Sequence, residues 1–261
     1  MADVSDLLAA YDTEMRAPQR VPPAGVTYER DGPLIRIVGS HRGLIRPQQP
    51  DLGLTGADLD SLINRQRDHF AARGQAVEWK VRGHDQPDDL TDRLRAAGFR
   101  PEHPSTVMIG HAADLAGQPE LPDGAVLRET RDAADMHRIA AMQSRVWNQD
   151  AAWIADDLNA RMAAAPDDTT VMVVEAGNEV VSAAWLAYHT GTRFGALLGG
   201  ATLPDWQGRG LYRALLTARA RQAVTRGVEL LQVDASPDSE PILRRFGFHA
   251  VTTTTPYVWT P

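Results

Sequence analysis

Part of this 261-residue chain occurs twice, and that repetition constrains the fold more than any other feature. Arg73-Gly74, Val77-Glu-Trp-Lys-Val81 and Leu94-Arg-Ala-Ala-Gly-Phe99 run in the same order as Arg226-Gly227, Val228-Glu-Leu-Leu-Gln-Val233 and Leu243-Arg-Arg-Phe-Gly-Phe248. Leu, Arg, Gly and Phe of the last segment coincide at an offset of 149 residues. One helix–strand–helix–strand unit is therefore used twice, and the chain divides into two halves with related endings.

Breaker residues set the limits of those halves. Arg20-Val-Pro-Pro-Ala-Gly25 ends a short amphipathic opening helix, because two prolines fix extended backbone. Gly117, Pro119, Pro122 and Gly124 crowd a second break. The chain reads as an opening segment (1–25), a first domain (26–114), a linker (115–124) and a second domain (125–261). In the first domain the pattern predicts strands over 34–38, 76–81 and 106–109, a helix from Thr55 towards Gly74, and a short helix over 90–97. In the second it predicts strands over 126–129, 171–175, 180–188, 194–203 and 228–233. Helices are expected over 132–147, 152–164, 208–225 and 240–246, and alternating Thr253, Thr255, Tyr257 and Trp259 close the chain.

Composition excludes several classes of protein. With 43% hydrophobic and 23% charged residues the chain can bury a core, which rules out global disorder. The net charge of −7 is shared by both halves, so no basic half exists to neutralise phosphates and general nucleic-acid binding is not expected. There is no cysteine, and the eight histidines form no helical metal pair, so no bound metal is expected. No apolar run reaches about 18 residues and the N-terminus lacks a signal-peptide pattern, so no membrane association and a cytoplasmic location are expected. Arginine outnumbers lysine 26 to 1, the one lysine being Lys80, a bias read as a coding effect.

The segment Leu203-Pro-Asp-Trp-Gln-Gly-Arg-Gly-Leu-Tyr212 lies between a predicted strand and a predicted helix. Glycines in the first turn of a helix leave backbone N–H groups unobstructed, and the helix dipole adds positive potential, so an anion such as a pyrophosphate can dock there. The turn has neither the third glycine of a dinucleotide-binding fingerprint, because position 213 is Arg213, nor the Gly-Lys-Ser/Thr of a P-loop. Just upstream, Gly199-Gly200 would weaken a strand unless a bulge or a close backbone approach requires them.

These residues resemble those of the GNAT-superfamily N-acetyltransferases, whose signature Gln/Arg-x-x-Gly-x-Gly/Ala reads here Gln207-Gly208-Arg209-Gly210-Leu211-Tyr212. The final position departs from the family preference. The resemblance covers about 125–261. It implies an α/β fold (α+β, mixed sheet), GNAT in the C-terminal half and a partial, degenerate GNAT-like repeat without a cofactor turn in the N-terminal half. It further implies that Gln207, Gly208, Arg209, Gly210, Leu211 and Tyr212 cradle the pyrophosphate of acetyl-CoA, that Ala201, Thr202 and Leu203 pair with its pantetheine arm, and that Ser236 stands in a cofactor-contacting slot. Trp147 and Asp150 fall where the family lines its acceptor site. Residues 26–110 are expected to stand in for a second protomer and wall the acceptor cleft, leaving a monomer or a homodimer.

Acetyl transfer needs a neutral amine, attack on the thioester and a proton returned to the leaving thiolate. The family's usual acid, a tyrosine five residues before the Phe of the Gly-Phe pair, is replaced here by Leu243. Tyr257 and Tyr212 are substitutes by residue type, Asp234 is the expected base, and His189 is a further titratable group, each with a plain structural explanation as well. The resulting expectation is an acetyl-CoA-dependent N-acetyltransferase acting on a primary amine of a small molecule, acidic surfaces favouring cationic acceptors. The alternatives are a non-catalytic acyl-CoA-binding or sensing module, or a protein or peptide N-acetyltransferase.

Overall fold

The computed structural model describes residues 3–17, 22, 25–39 and 41–261, so the predicted break at 20–25 lies for the most part outside the described residues. Helix α1 (Val4–Met15) starts at Asp3, whose carboxylate accepts from the Ser5 N–H at 3.1 Å, and it buries Leu7, Tyr11 and Met15 along one face. The antiparallel strands β1 (Thr27–Asp31), β2 (Leu34–Val38) and β3 (Gly43–Pro47) follow. Helix α2 (Gly56–Ala71) turns Leu59, Leu62, Ile63, Gln66 and Phe70 inward at helical spacing. Strand β4 (Val77–Arg82), helix α3 (Leu90–Ala96), the two-residue strand β5 (Arg100–Pro101) and strand β6 (Ser105–His111) end the first half.

A four-residue helix α4 (Ala112–Leu115) leads through a loop to β7 (Ala125–Thr130). Helix α5 (Ala133–Trp147) is capped by Asp132, whose side chain accepts from the Ala134 N–H, and ends at Asn148 in the left-handed conformation. Then come α6 (Trp153–Ala164), the hairpin of β8 (Thr169–Ala176) and β9 (Glu179–Tyr188), β10 (Phe194–Thr202), a 3₁₀ turn at Pro204–Trp206 and α7 (Leu211–Thr225). Strand β11 (Leu230–Ala235), helix α8 (Glu240–Arg245) and the long strand β12 (His249–Trp259) complete the chain. The sequence pattern finds most of these elements; β1, β3 and the short α4 and β5 carry too little periodicity to be seen.

Among the described residues the twelve strands form one mixed sheet in the order β1-β2-β3-β4-β12-β6-β11-β10-β9-β8-β7, with β5 paired to β12. The halves are interlocked by exchanging their last strands. Strand β6 of the first half pairs with β11 and with the first part of β12, inside the second half's sheet. The remainder of β12 pairs with β4 and β5, inside the first half's. The cores follow the exchange: Tyr257 joins Trp79, Phe99, Leu94 and the inward face of α2, whereas Met108 joins Leu231, Leu243 and Phe248. The boundary expected at 115–124 is a loop in the chain but no boundary in the sheet.

The sequence repeat has a packing counterpart. Leu94 and Leu243 have no solvent exposure, and Phe99 and Phe248 sit against them at 0% and 3%. Gly98 and Gly247 adopt positive φ, +94° and +84°, so each ends its helix in a conformation that leaves the following Phe pointing back at the core.

Candidate active site

The parallel strands β10 and β11 pair only over Phe194–Ala196 and Leu230–Gln232, then diverge. From Leu197 onward the β11-facing edge of β10 carries no strand partner, while its other edge stays bonded to β9 across a register shift between Leu198 and Ala201. Gly199 sits in that bulge at φ +62°, and a Cβ there would meet the Trp185 ring at 1.9 Å. Its carbonyl accepts from Gln143 Nε2 at 2.7 Å, which ties the bulge to α5.

Beyond the divergence the chain turns through Gly208 (φ +72°) and Gly210 (φ +85°) into α7. The first helical bond runs from the Ala214 N–H to the Gly210 carbonyl, and the N–H groups of Gly208 through Arg213 find no acceptor among the described residues. They open on a cleft of about 770 Å³. A side chain at Gly208 or Gly210 would meet no protein atom within 4 Å, so the turn presents bare backbone to that space. Unpaired N–H groups at the start of a four-turn helix are the donor set an anion requires. Arg213 and Arg245 add positive charge to the cleft wall, and Trp206, Ile242 and Phe246 add apolar surface.

Of the residues expected at this turn, Ala201, Thr202, Gln207, Gly208, Gly210, Leu211, Tyr212 and Ser236 line the cleft, as does Trp147. Gln207 Nε2 donates to the Thr202 carbonyl at 3.1 Å and fixes the turn against the strand. The Tyr212 ring lies beside Gly200, and burial raises its hydroxyl above the ordinary tyrosine range, so it stays protonated at neutral pH. The Ser236 hydroxyl is 3.1 Å from that of Ser239, at the start of α8.

Several expected residues lie elsewhere. Leu203 is 3% exposed, packed in the second half's core with its N–H on the Val181 carbonyl, so only its neighbours face the cleft. Arg209 lies over the Trp206 ring at 4.7 Å. Asp150 accepts from the Ala152 N–H ahead of α6 and lines neither cleft nor cavity. Tyr257 is carried by the strand exchange into the first half's core, where Arg95 Nη2 donates to its hydroxyl at 3.0 Å and its ring packs among Trp79 and Phe99. That placement puts it in neither the cleft at α7 nor the space at the β10–β11 divergence. Leu243, in the slot of the family's usual acid, is wholly buried on α8.

A second space opens where the same two strands diverge. It is a cavity of about 240 Å³ lined by α1, β1 to β4 and α6, with Ala196 and Leu198 of β10 and Gln232 and Asp234 of β11 in its wall. The chain's one lysine, Lys80, pairs with Asp234 at 2.5 Å, and Gln232 donates to the other carboxylate oxygen at 2.7 Å. Burial by itself would raise the Asp234 carboxyl, but Lys80, Arg82 and Arg46 outweigh it and hold it below the usual carboxylate range. His189 also faces this cavity. Burial, with Arg46 and Arg161 nearby, pushes its imidazole down to about 4, so it is neutral at pH 7. Apart from Asp234 and His189, the pattern of the sequence does not reveal this cavity, because its wall comes from strands and helices more than a hundred residues apart.

Among the described residues no group of three or more His, Cys, Asp or Glu side chains is placed to hold a metal, and no helix is long and apolar enough to cross a membrane.

Comparison with known proteins bears on this geometry. Residues 134–257 match the model of the acetyltransferase (GNAT) domain. A search of curated proteins by sequence finds no significant match. Among solved structures, a GCN5-related N-acetyltransferase from Kribbella flavida superposes with a TM-score of 0.69 at 17% identity, over 100% of this chain and 96% of that one. A tandem GNAT protein from the clavulanic acid biosynthesis pathway gives 0.65 at 12%, over 98% and 94%. A GCN5-related N-acetyltransferase from Sphaerobacter thermophilus gives 0.61 at 14%, over 89% and 82%. At these identities the likeness speaks for the fold, and it extends across both halves.

Proposed function

Starting from a C-terminal half that belongs to the GNAT acetyltransferases, we propose that this enzyme takes acetyl-CoA in the cleft at the start of α7 and transfers its acetyl group to a primary amine of a small molecule held in the cavity across the β10–β11 divergence. The observation that carries this reading is that one pair of splayed strands walls both spaces: Leu198 and Asp234 face the cavity, and Gly200 and Ser236, two residues on, face the cleft.

Acetyl-CoA supplies an activated thioester. The chain's own part is mostly positioning, which is worth a large share of such a rate. The N–H groups of 208–213 hold the pyrophosphate, with Arg213 and Arg245 alongside, and the free edge of β10 from Gly200 to Thr202 offers backbone partners to the pantetheine amides. The bulge at Gly199 keeps that edge open. Tyr212, protonated and beside Gly200, is the residue suited to return a proton to the departing sulfur, a role Leu243 cannot fill. Asp234 and neutral His189 stand on the acceptor side, where water or either group takes the proton the amine loses. A recessed cavity of about 240 Å³ suits a small acceptor better than a polypeptide chain.

Leu243 also supports a second reading, in which the protein binds an acyl-CoA without turning it over. Calorimetric titration of acetyl-CoA into the wild type and into Gly210→Trp tests the shared premise. Binding to the wild type and at least about a hundredfold weaker binding to the variant is expected, since a bulky side chain at φ +85° both fills the cleft and strains the turn. No binding to the wild type would overturn both readings. Free thiol released on adding amines to the loaded protein separates catalysis from binding alone.

A further inference from the structure

The cavity on the acceptor side is lined by four cations, Arg46, Lys80, Arg82 and Arg161, against two carboxylates, Asp157 and Asp234. Each carboxylate is already committed. Asp234 pairs with Lys80, and Asp157 accepts from Arg161 Nε at 2.6 Å. The carboxylates just outside are committed as well: Asp85 to Arg16 at 2.7 Å and Glu78 to Arg42 at 2.6 Å. That leaves two guanidinium groups, Arg46 and Arg82, facing the cavity with no carboxylate in ion-pair contact among the described residues; Asp234, Asp85 and Glu78 act on them only at longer range. Arg82 is 3% exposed; its Nε donates to the Tyr11 hydroxyl at 3.0 Å, and its Nη1 is buried without any hydrogen-bond partner.

A buried cation with a free donor costs several kcal/mol unless an anion meets it, and guanidinium groups bind carboxylate and phosphate oxygens through paired N–H donors. The net charge of the wall, two positive after pairing, has a second effect. It disfavours an ammonium nearby and so favours the neutral amine that attack requires. The space, about 240 Å³, can admit a molecule the size of an amino acid.

We propose that the acceptor is a small amine that also carries an acidic group, a carboxylate or a phosphate, and that Arg46 and Arg82 bind this group and so select the substrate. The proposal rests on the acetyl-transfer reading, and it reverses the preference for cationic acceptors expected from the acidic overall charge. Local charge decides here, because a Debye length of about 8 Å screens the outer surface from a recessed site.

The test is a thiol-release assay with acetyl-CoA and two sets of amines. L-aspartate, L-glutamate and O-phosphoethanolamine carry an acid; ethanolamine, putrescine and glucosamine do not. At least one acid-bearing amine should exceed every acid-free one by about a hundredfold in kcat/KM, and preference within the first set tells carboxylate from phosphate. Arg46→Ala should raise KM for that amine about a hundredfold, a larger effect than any on kcat, with acetyl-CoA affinity retained, and Arg46→Lys should recover part of the loss. Equal or better turnover of the acid-free set overturns the proposal. Calorimetric titration of the same amines tests it without turnover: acid-bearing amines that bind neither more tightly than acid-free ones nor in dependence on Arg46 overturn it too. Failure of acetyl-CoA itself to bind the wild type would instead sink the acetyl-transfer reading.

Discussion

In the first half of the chain β3 and β4 pair in parallel over Gly43–Ile45 and Val77–Trp79 and then diverge; in the second, β10 and β11 pair over Phe194–Ala196 and Leu230–Gln232 and then diverge. The segments downstream of β3 and of β10 part ways. After β3 the chain passes Pro47 and Pro50 and stays in the gap. The Leu52 N–H donates to the Gln86 carbonyl at 3.2 Å, the Gln86 N–H donates to the Pro50 carbonyl at 2.8 Å, and Leu52 enters the core at 5% exposure. Buried Arg16 pins the same region through Asp85 and the Gln49 carbonyl. After β10 the chain leaves the sheet at Pro204 and returns only through the glycine turn into α7, so the exposed strand edge and the helix N–H groups stay available. Divergence of two parallel strands therefore leaves an open cleft at the start of the next helix only when the following segment vacates the gap.

The largest test of this pairing of halves is to separate them. Residues 1–114 and 115–261 expressed apart should each fail to give a cooperative thermal transition, since each lacks a central strand, and mixing during refolding should restore one. Independent folding of either piece would show that the exchange is incidental. A smaller effect is expected at the bulge. Gly199→Ala should destabilise the chain by about 3 kcal/mol in denaturant unfolding and weaken acetyl-CoA binding, because a Cβ at positive φ collides with the Trp185 ring. Unchanged stability would mean the second divergence needs no glycine to stay open.

The third test compares how the two halves lock their first strands. Asp31 on β1 accepts from Arg65 on α2, with Gln66 and Arg36 also bound, and Asp135 on α5 gathers Arg128 of β7 and Arg138. The Arg65 hydrogen bond leads in bringing the Asp31 carboxyl down to about 2 from 3.8, against a burial effect that raises it. A lowered folded value means stability that is full above about pH 4 and is lost as the pH falls through about 2. Asp31→Asn should therefore cost about 2 kcal/mol at pH 7, with the gap to wild type closing between pH 4 and pH 2. A gap independent of pH would assign the loss to shape and not to charge.

What is legible in the sequence is local. Gln207-Gly-Arg-Gly210 and Gly199-Gly200 can be read because turn chemistry is written in adjacent residues, and the offset repeat because both copies keep the same Leu, Gly and Phe. Alternation marks 253–259 as a strand but not its partners, so residue type alone puts Tyr257 near the chemistry, whereas pairing with β4 takes it to the other core. The cavity is least legible. Arg46, Lys80, Arg82 and Arg161 do not stand out among 27 basic residues until sheet order brings them together.

The exchanged strands also set a timetable. Val77 on β4 pairs with Trp259, and those residues are 259 − 77 = 182 positions apart in the chain. At about 5–20 residues per second of synthesis, the edge of β4 waits roughly 10–35 s for its neighbour, and the first core lacks Tyr257 until then. An unpaired edge of this kind invites other chains. The exposed edge of the first half is thus closed only when the eleven-residue strand β12 emerges and pairs with it.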